Sequence, residues 1–241
     1  MAITHAPVVP TEFDTLAAAN RHAVYGLVAR WLVHDLRNPT QALTLITELM
    51  GDEPETAGAA ETVREATARL GQSLQLLDRL LRLPRPRTEP VPVSLQDSLD
   101  FVAALHRSHR SGTQLDLESA AGSSLPPIGA AEHEVEQILL NLVLNAQEAL
   151  SERPGGRLVI RADLVDGSVR VSVADNGPGV QPERRACLFE PAPALRAGRL
   201  RGLGLTVSRG LARRAGGDLV YFGGDGPGAR FDLLLPAWRR G

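Results

Sequence analysis

Four prolines fall within nine residues of this chain, at positions 84, 86, 90 and 92 of the stretch LPRPRTEPVPVS. Proline fixes φ and carries no backbone donor, so neither a helix nor an interior strand is expected to run through this stretch. Residues 84–94 therefore read as a linker that divides the 241-residue chain into two folding units. The hydrophobic period differs on its two sides, and that difference sets the fold class.

Before the linker the period is helical. Residues 14–50 contain one proline, Pro39, and one glycine, Gly26. Val24, Val28, Leu32, Leu36, Leu43, Ile46 and Met50 recur at spacings of three and four or their multiples. Gly51-Asp52-Glu53-Pro54 stops this helix and turns the chain. A second helix is expected over 55–83, with Val63, Ala66, Leu70, Leu74, Leu77 and Leu81 on one stripe. Two helices cannot enclose a core by themselves, so the hairpin is expected to pair with a second copy as a four-helix bundle. Residues 1–13 are expected to be a loose tail.

After the linker the pattern alternates between types. Leu95–His109 reads as a helix, Thr113–Glu118 as a strand and Ala131–Ser151 as a strong helix. Arg157–Val165 and Ser168–Ala174 alternate polar and apolar residues and are split by Asp166-Gly167, a two-residue hairpin signal. A helix over 203–215 precedes two more strands, Asp218–Phe222 and Ala229–Leu235. Paired strands with helices set apart point to an α+β sandwich, helices on one face of a mixed sheet.

Composition narrows the function classes. Net charge is −2, which gives no electrostatic case for nucleic acid or a membrane surface as the main partner. All 26 basic residues are arginine. The single Cys187 excludes an internal disulfide and a cysteine metal cluster, and implies a reducing, cytoplasmic setting. No apolar run reaches the ~20 residues of a membrane span.

Several short motifs carry chemistry. In HDLRNPTQAL, 34–43, His34 lies nearly opposite Leu32 and Leu36 on the helix, on a polar face with Asn38 one turn away. Asp35 adjoins it and could hold the imidazole tautomer or take its proton, leaving a ring nitrogen free to attack. Pro39 removes the bond to the carbonyl of Asp35 and should bend the helix just after the histidine. A chance histidine on a solvated face, with a tolerated kink, reads the same residues equally well.

Asn141 and Asn145 share a face at i, i+4, and amide oxygens suit Mg²⁺. Asp175-Asn-Gly-Pro-Gly179 ends an apolar strand, where a carboxylate can accept the exocyclic amine of adenine and glycines allow close approach. Leu188-Phe-Glu-Pro191 precedes a flexible Ala/Arg/Gly stretch. Arg201-Gly-Leu-Gly-Leu205 opens a helix with bare amides for phosphate. Each segment by itself is also ordinary turn, loop or cap material.

In this order and spacing, HDLRNP, NLVLNA, DNGPG, LFEP and GLGL resemble the motif boxes of the bacterial two-component sensor histidine kinases. The resemblance runs from about residue 20 to the terminal GARFDLLLPA. It implies a dimerisation and histidine-phosphotransfer hairpin over 14–83 and an ATP-binding catalytic domain of the GHKL type over 95–241. By this resemblance His34 is the phospho-acceptor, Asp35 its activating neighbour, and Asn38 the residue that orients water for phosphatase activity. Asn145 is the Mg²⁺ ligand and Asn141 supports the phosphates. Asp175 reads adenine within the loop of Gly177 and Gly179. Phe189 and the stretch through Gly202, Gly204 and Leu205 form the lid. The expected cofactors are ATP and Mg²⁺. The expected partners are a second copy, the receiver domain of a response regulator and an upstream sensor.

The chain departs from the family pattern at several points. Leu200 stands near a usual lid glycine, the lid lysine is absent, Ala130 replaces a frequent aspartate and Ala215 a frequent histidine. These leave open a degenerate kinase acting as a phosphotransfer or scaffold dimer. A GHKL ATPase that never phosphorylates itself is the other alternative. In such ATPases a glutamate four residues before the metal asparagine activates water, and here that position is Asn141, which cannot act as a base.

Overall fold

The computed structural model describes residues 11–50, 57–82, 92–108, 113–119, 125–191, 194–196, 199–223 and 227–238. The turn at 51–54 and nearly all of the expected tail lie outside them, as does the linker up to residue 91.

Helix α1 (Glu12–Met50) runs unbroken for 39 residues, with Pro39 inside it. Its start is closed by a reciprocal pair: Asp14 N–H donates to Thr11 Oγ1, and Thr11 N–H donates to the Asp14 carboxylate, both at 3.1 Å. Helix α2 (Ala57–Leu81) packs along α1. Val24, Val28 and Leu32 are buried, as are Ala66 and Leu80 on α2. Leu74 and Leu81, expected on the inner stripe, are 55% and 64% exposed. The reason is geometric: each helix has one neighbour in the hairpin, and a stripe wider than one contact line leaves its edges in solvent. Val33 and Leu45 are exposed on α1 for the same reason.

The second half begins with β1 (Pro92–Val93), α3 (Leu95–Ser108), β2 (Gln114–Ser119), β3 (Ile128–Gly129) and α4 (Glu132–Leu150). It continues with β4 (Arg157–Val165), β5 (Ser168–Asp175), α5 (Pro182–Arg185), β6 (Ala194–Arg196) and β7 (Arg199–Arg201). It closes with α6 (Gly204–Arg214), β8 (Asp218–Phe222) and β9 (Ala229–Pro236). A five-stranded sheet has the order β2-β4-β5-β9-β8, with β2–β4 parallel and every other pair antiparallel. Its inner face is apolar: Leu158 and Ile160, Val169, Val171 and Val173, Leu219, and Leu233 and Leu235 are all buried. Helices α3, α4 and α6 supply Leu99, Leu139, Leu142 and Leu211 to the same core. The outer face is held by cross-strand ion pairs, Arg161–Glu118 at 2.6 Å and Arg170–Asp163 at 2.5 Å. This is the expected α+β architecture, a helical stalk followed by a two-layer sandwich.

Within the expected linker, Pro92 and Val93 form a short strand, paired with Gly129 and Ile128. Proline is tolerated there because this two-residue strand has one neighbour and leaves its other edge unpaired. In the stretch after LFEP, β6 and β7 form a short antiparallel pair. The Asp166-Gly167 hairpin holds, with φ of +50° and +77° at its two residues.

The stalk does not stand clear of the sandwich. Helix α1 packs against α3, α4 and α6, and α2 against α3. Arg79 of α2 reaches Glu136 of α4 at 2.6 Å and lies over the ring of Phe101 of α3, 4.4 Å from its centroid. No helix among the described residues is long and apolar enough to cross a membrane.

Candidate functional site

A cavity of about 530 Å³ opens between α4, the end of β5, the start of α6 and the first third of α1. Helix α4 brings Asn141 and Asn145 to it, because residues four apart share a face. Strand β5 ends on Asp175, and its alternation puts Val173 and Asp175 on the cavity side. Gly202, Gly204 and Leu205 enter at the start of α6. This helix has no side-chain cap, so its first amides keep no intrahelical partner and face the cavity as donors.

Asp175 is half-buried. Burial pushes its carboxyl above the usual carboxylate range, and hydrogen bonds from the backbone of Gly177 and Ala229 oppose that. The Gly177 N–H donates to Asp175 Oδ1 at 2.8 Å. The loop that follows is tightly folded against the β9 hairpin. Gly179 has φ +76°, and a Cβ there would stand 2.8 Å from the carbonyl oxygen of Gly228. Gly228 has φ +99°, and a Cβ there would stand 2.3 Å from the carbonyl oxygen of Asp175. Both positions require glycine on conformation and on space.

Asn141 is buried and fully engaged. Its Nδ2 lies 2.9 Å from Asn20 Oδ1, 3.0 Å from Ser208 Oγ and 3.2 Å from the carbonyl oxygen of Gly204. Its Oδ1 accepts from Asn20 Nδ2 at 3.3 Å. Asn145, one turn later, is half-buried at the cavity wall.

Seven of the nine residues that sequence assigns to the nucleotide line this cavity; Gly177 and Phe189 do not. Gly177 lies behind Asp175, where a Cβ would come within 2.7 Å of Asp175 Oδ1. Phe189 lies between two cavity-lining residues, Leu188 and Glu190. Its ring is stacked under Arg209, 4.6 Å from the centroid, and Arg209 is itself held by Asp218 at 2.9 Å. The cation–π contact ties the half-buried Phe189, which also packs against the core, to α6.

His34 and Asn38 are exposed on the stalk and do not line the cavity. Asp35 is half-buried and accepts a hydrogen bond from Ser73 of α2 at 3.2 Å. The histidine and the cavity are thus separate in this arrangement. Among the described residues no three of His, Cys, Asp and Glu gather as a metal cluster.

Sequence reasoning missed Asn20 and Gly228. Asn20 follows the same stripe as Val24 and Val28, so a polar residue in an apolar row was the available signal. Gly228 had no local signal, since its role comes from the pairing of Asp175 with Ala229 across β5 and β9.

Residues 130–239 match a family model described as histidine kinase-, DNA gyrase B-, and HSP90-like ATPase. The chain is 26% identical over 225 residues to the sensor histidine kinase ZraS of Escherichia coli O157:H7, covering 92% of this chain and 48% of that protein. It is 31% identical over 236 residues to the sensory histidine kinase/phosphatase NtrB of Vibrio alginolyticus, covering 91% of this chain and 65% of that one. Among solved structures, full-length ShkA in complex with AMPPNP superposes with a TM-score of 0.53 at 28% identity, over 95% of this chain and 46% of that one. The chain spans about half the length of the ZraS relative.

Proposed function

Residues 130–239 form a domain of the histidine kinase-, DNA gyrase B-, and HSP90-like ATPase family, and on that premise we propose that the chain is an ATP-dependent protein-histidine kinase. The observation that carries this reading is the convergence of Asn141, Asn145, Asp175 and the Gly202–Leu205 turn on one cavity. The domain boundaries proposed are a phosphotransfer hairpin over 14–83, a linker over 84–94 and a catalytic domain over 95–241.

Asp175 accepts the exocyclic amine of adenine, most strongly in its ionised form. The opposite end of the cavity, with Asn145, Gly202 and Gly204, takes the phosphates at the α6 N-terminus, and Asn141 supports that end through its hydrogen bond to the Gly204 carbonyl. Asn145 would hold Mg²⁺ there. A single amide oxygen, without a carboxylate cluster, fits a hard cation that brings its remaining ligands as phosphate oxygens and water. When bound, the ion supplies charge neutralisation to the phosphates.

His34 is exposed, as a residue that must meet a nucleotide on a mobile domain has to be. An imidazole nitrogen attacks the γ-phosphorus in line; the N–P bond forms as the bond to the leaving ADP oxygen breaks. Positioning supplies most of the acceleration. The phosphoryl group then passes to an aspartate on a receiver domain. Asn38, one turn from His34 and exposed, would orient water for a separate phosphatase reaction, in which the water oxygen attacks the receiver's aspartyl phosphate and the aspartate carboxylate leaves.

Exposed Val33, Leu45 and Leu74 favour a second copy of the hairpin as the partner that completes the bundle. The lone exposed Cys187 favours a reducing, cytoplasmic setting. A hydrolysing ATPase is disfavoured by Asn141, whose buried amide is committed to Asn20, Ser208 and Gly204 and has no basic lone pair to offer water.

The test is incubation with γ-labelled ATP of the wild type, His34→Gln and Asn145→Ala. Acid-labile, alkali-stable label in the wild type, lost in both variants, supports the kinase. Released phosphate without protein label means an ATPase. Neither, with phosphoryl transfer from a charged regulator retained, means a scaffold.

A further inference from the structure

One face of α4 runs the length of the cavity. At one end Asn141 donates to the carbonyl oxygen of Gly204 at 3.2 Å, which is the phosphate end on the nucleotide reading above. At the other end Ala149 flanks the adenine end. A Cβ built on Gly177 would stand 3.3 Å from Ala149 Cβ and 2.7 Å from Asp175 Oδ1. Eight positions separate Asn141 from Ala149, about 12 Å of helix at 1.5 Å per residue. A nucleotide with its base at Asp175 and its phosphates at Gly204 must lay its sugar along the turn between them.

Glu148 lines the cavity on that turn. At 100° per residue it lies about 20° around the helix from Asn141 and about 60° from Asn145, so all three share one face. Helix side chains lean toward the N-terminus, which carries the Glu148 carboxylate back over the turn of Asn145. The residue is exposed, so the carboxylate meets the cavity from its open side. Among the described residues the other acids lining the cavity are Asp175 and Glu190. Asp175 is taken by the base. Glu190 adjoins Phe189, which Arg209 holds, and so belongs to the α6 side.

An ionised carboxylate accepts hydrogen bonds and donates none. At mid-cavity it would only repel a triphosphate unless donors faced it. Between the base and the phosphates of a nucleotide the only donors are the two hydroxyls of the ribose. Bonds from a hydroxyl to a carboxylate are short and charge-assisted, and dinucleotide-binding folds set an acid on the ribose in the same way. We propose that Glu148 reads the sugar: its carboxylate accepts from the ribose hydroxyls and selects ribonucleoside triphosphates over their deoxy forms. This rests on a nucleotide occupying the cavity, as proposed above, but not on transfer to His34.

The test is calorimetric binding of ATP, 2′-deoxy-ATP and 3′-deoxy-ATP, with Mg²⁺, to the full chain. Wild type is compared with Glu148→Ala, Glu148→Gln and, as a control, Glu190→Ala. Loss of the Glu148 side chain leaves the end of α4 intact, because Ser151 Oγ donates to the Glu148 carbonyl oxygen at 2.9 Å. Wild type should bind ATP at least about fivefold more tightly than one or both deoxy forms. Glu148→Ala should bring ATP down to the affinity of that deoxy form, with the deoxy form itself unchanged within about twofold. Glu148→Gln, a neutral acceptor, should fall between, and Glu190→Ala should keep the wild-type preference. Equal affinities in the wild type overturn the assignment. So does a Glu148→Ala variant that weakens all three nucleotides alike, because the carboxylate then serves the metal or the fold. A preference kept in Glu148→Ala, or lost in Glu190→Ala, overturns it as well. If the preference behaves as expected but no protein takes label from γ-labelled ATP, the sugar assignment stands and the kinase reading falls. If His34 takes label and no nucleotide preference exists, the kinase stands and the sugar assignment falls.

Discussion

Ser73 donates its hydroxyl to the carboxylate of Asp35 at 3.2 Å, across the two helices of the stalk. The acid beside His34 is therefore turned toward α2. Ser73→Ala removes that restraint at a cost of about 1.5 kcal/mol, the low end for a hydrogen bond to a charged group, since the pair is only part-buried. The freed carboxylate can swing toward the imidazole, so the initial rate of His34 labelling should rise two- to fivefold. A rate at or below wild type, with the variant folded, would show that Ser73 holds Asp35 where catalysis needs it.

Asp175→Asn keeps the size of the side chain and the turn but replaces a pure acceptor by an amide. Affinity for an ATP analogue should fall at least tenfold, about 1.4 kcal/mol. Burial raises the carboxyl above its ordinary value, so wild-type affinity should decline on acidification at a higher pH than an ordinary aspartate would give. The asparagine variant should lack that decline. Calorimetric titration of nucleotide at several pH values measures both.

Gly228→Ala forces a Cβ to 2.3 Å from the Asp175 carbonyl oxygen at φ +99°. It should cost about 2 kcal/mol or more and displace the adenine end of the cavity. Gly26→Ala is the contrasting case, a helix-interior glycine with no atom within 4 Å of the added Cβ. It should stabilise by about 0.5–1 kcal/mol. Denaturant unfolding of the two variants gives the signs, and equal signs would contradict this account.

Glu136 sits under Arg79, and burial pushes its carboxyl up to about 7 despite the ion pair. The folded chain then holds a proton that the unfolded chain releases near 4.5. Stability from this group is present below about pH 4.5 and is lost as pH rises through about 7. Against Glu136→Gln, the wild type should match near pH 5 and lose ground by pH 7.5. Parallel Tm curves across that window would place the proton elsewhere.

Pro39 is buried within α1 and cannot donate to the carbonyl of Asp35. Pro39→Ala restores that bond and stiffens the helix next to His34. The ratio of phosphatase to kinase activity should shift at least threefold. An unchanged ratio would mean that flexibility at this point has no part in switching.

Much of this architecture was legible because its signals are periodic and local. The α4 stripe, the alternation of β4 and β5 and the Asp166-Gly167 turn each contain their own evidence. What was illegible depends on tertiary pairing. The two residues of β3 have no period, and β1 is hidden inside prolines. The contact of Phe189 with Arg209 was also out of reach, because that arginine is 20 residues away on α6. The imidazole and the amide pair were readable as motifs, but not that a stretch of α1 lines the cavity beside the amide pair.

The uninterrupted course of α1 through 39 residues has a mechanical consequence. Asn20 and His34 are 14 positions apart, about 21 Å along a rod yet only about 40° apart around it at 100° per residue. Twisting the rod by itself would carry both side chains through the same arc and exchange nothing. Bringing the imidazole of that rod to the phosphates calls for the sandwich to travel lengthwise, like a carriage moving one station down a rail.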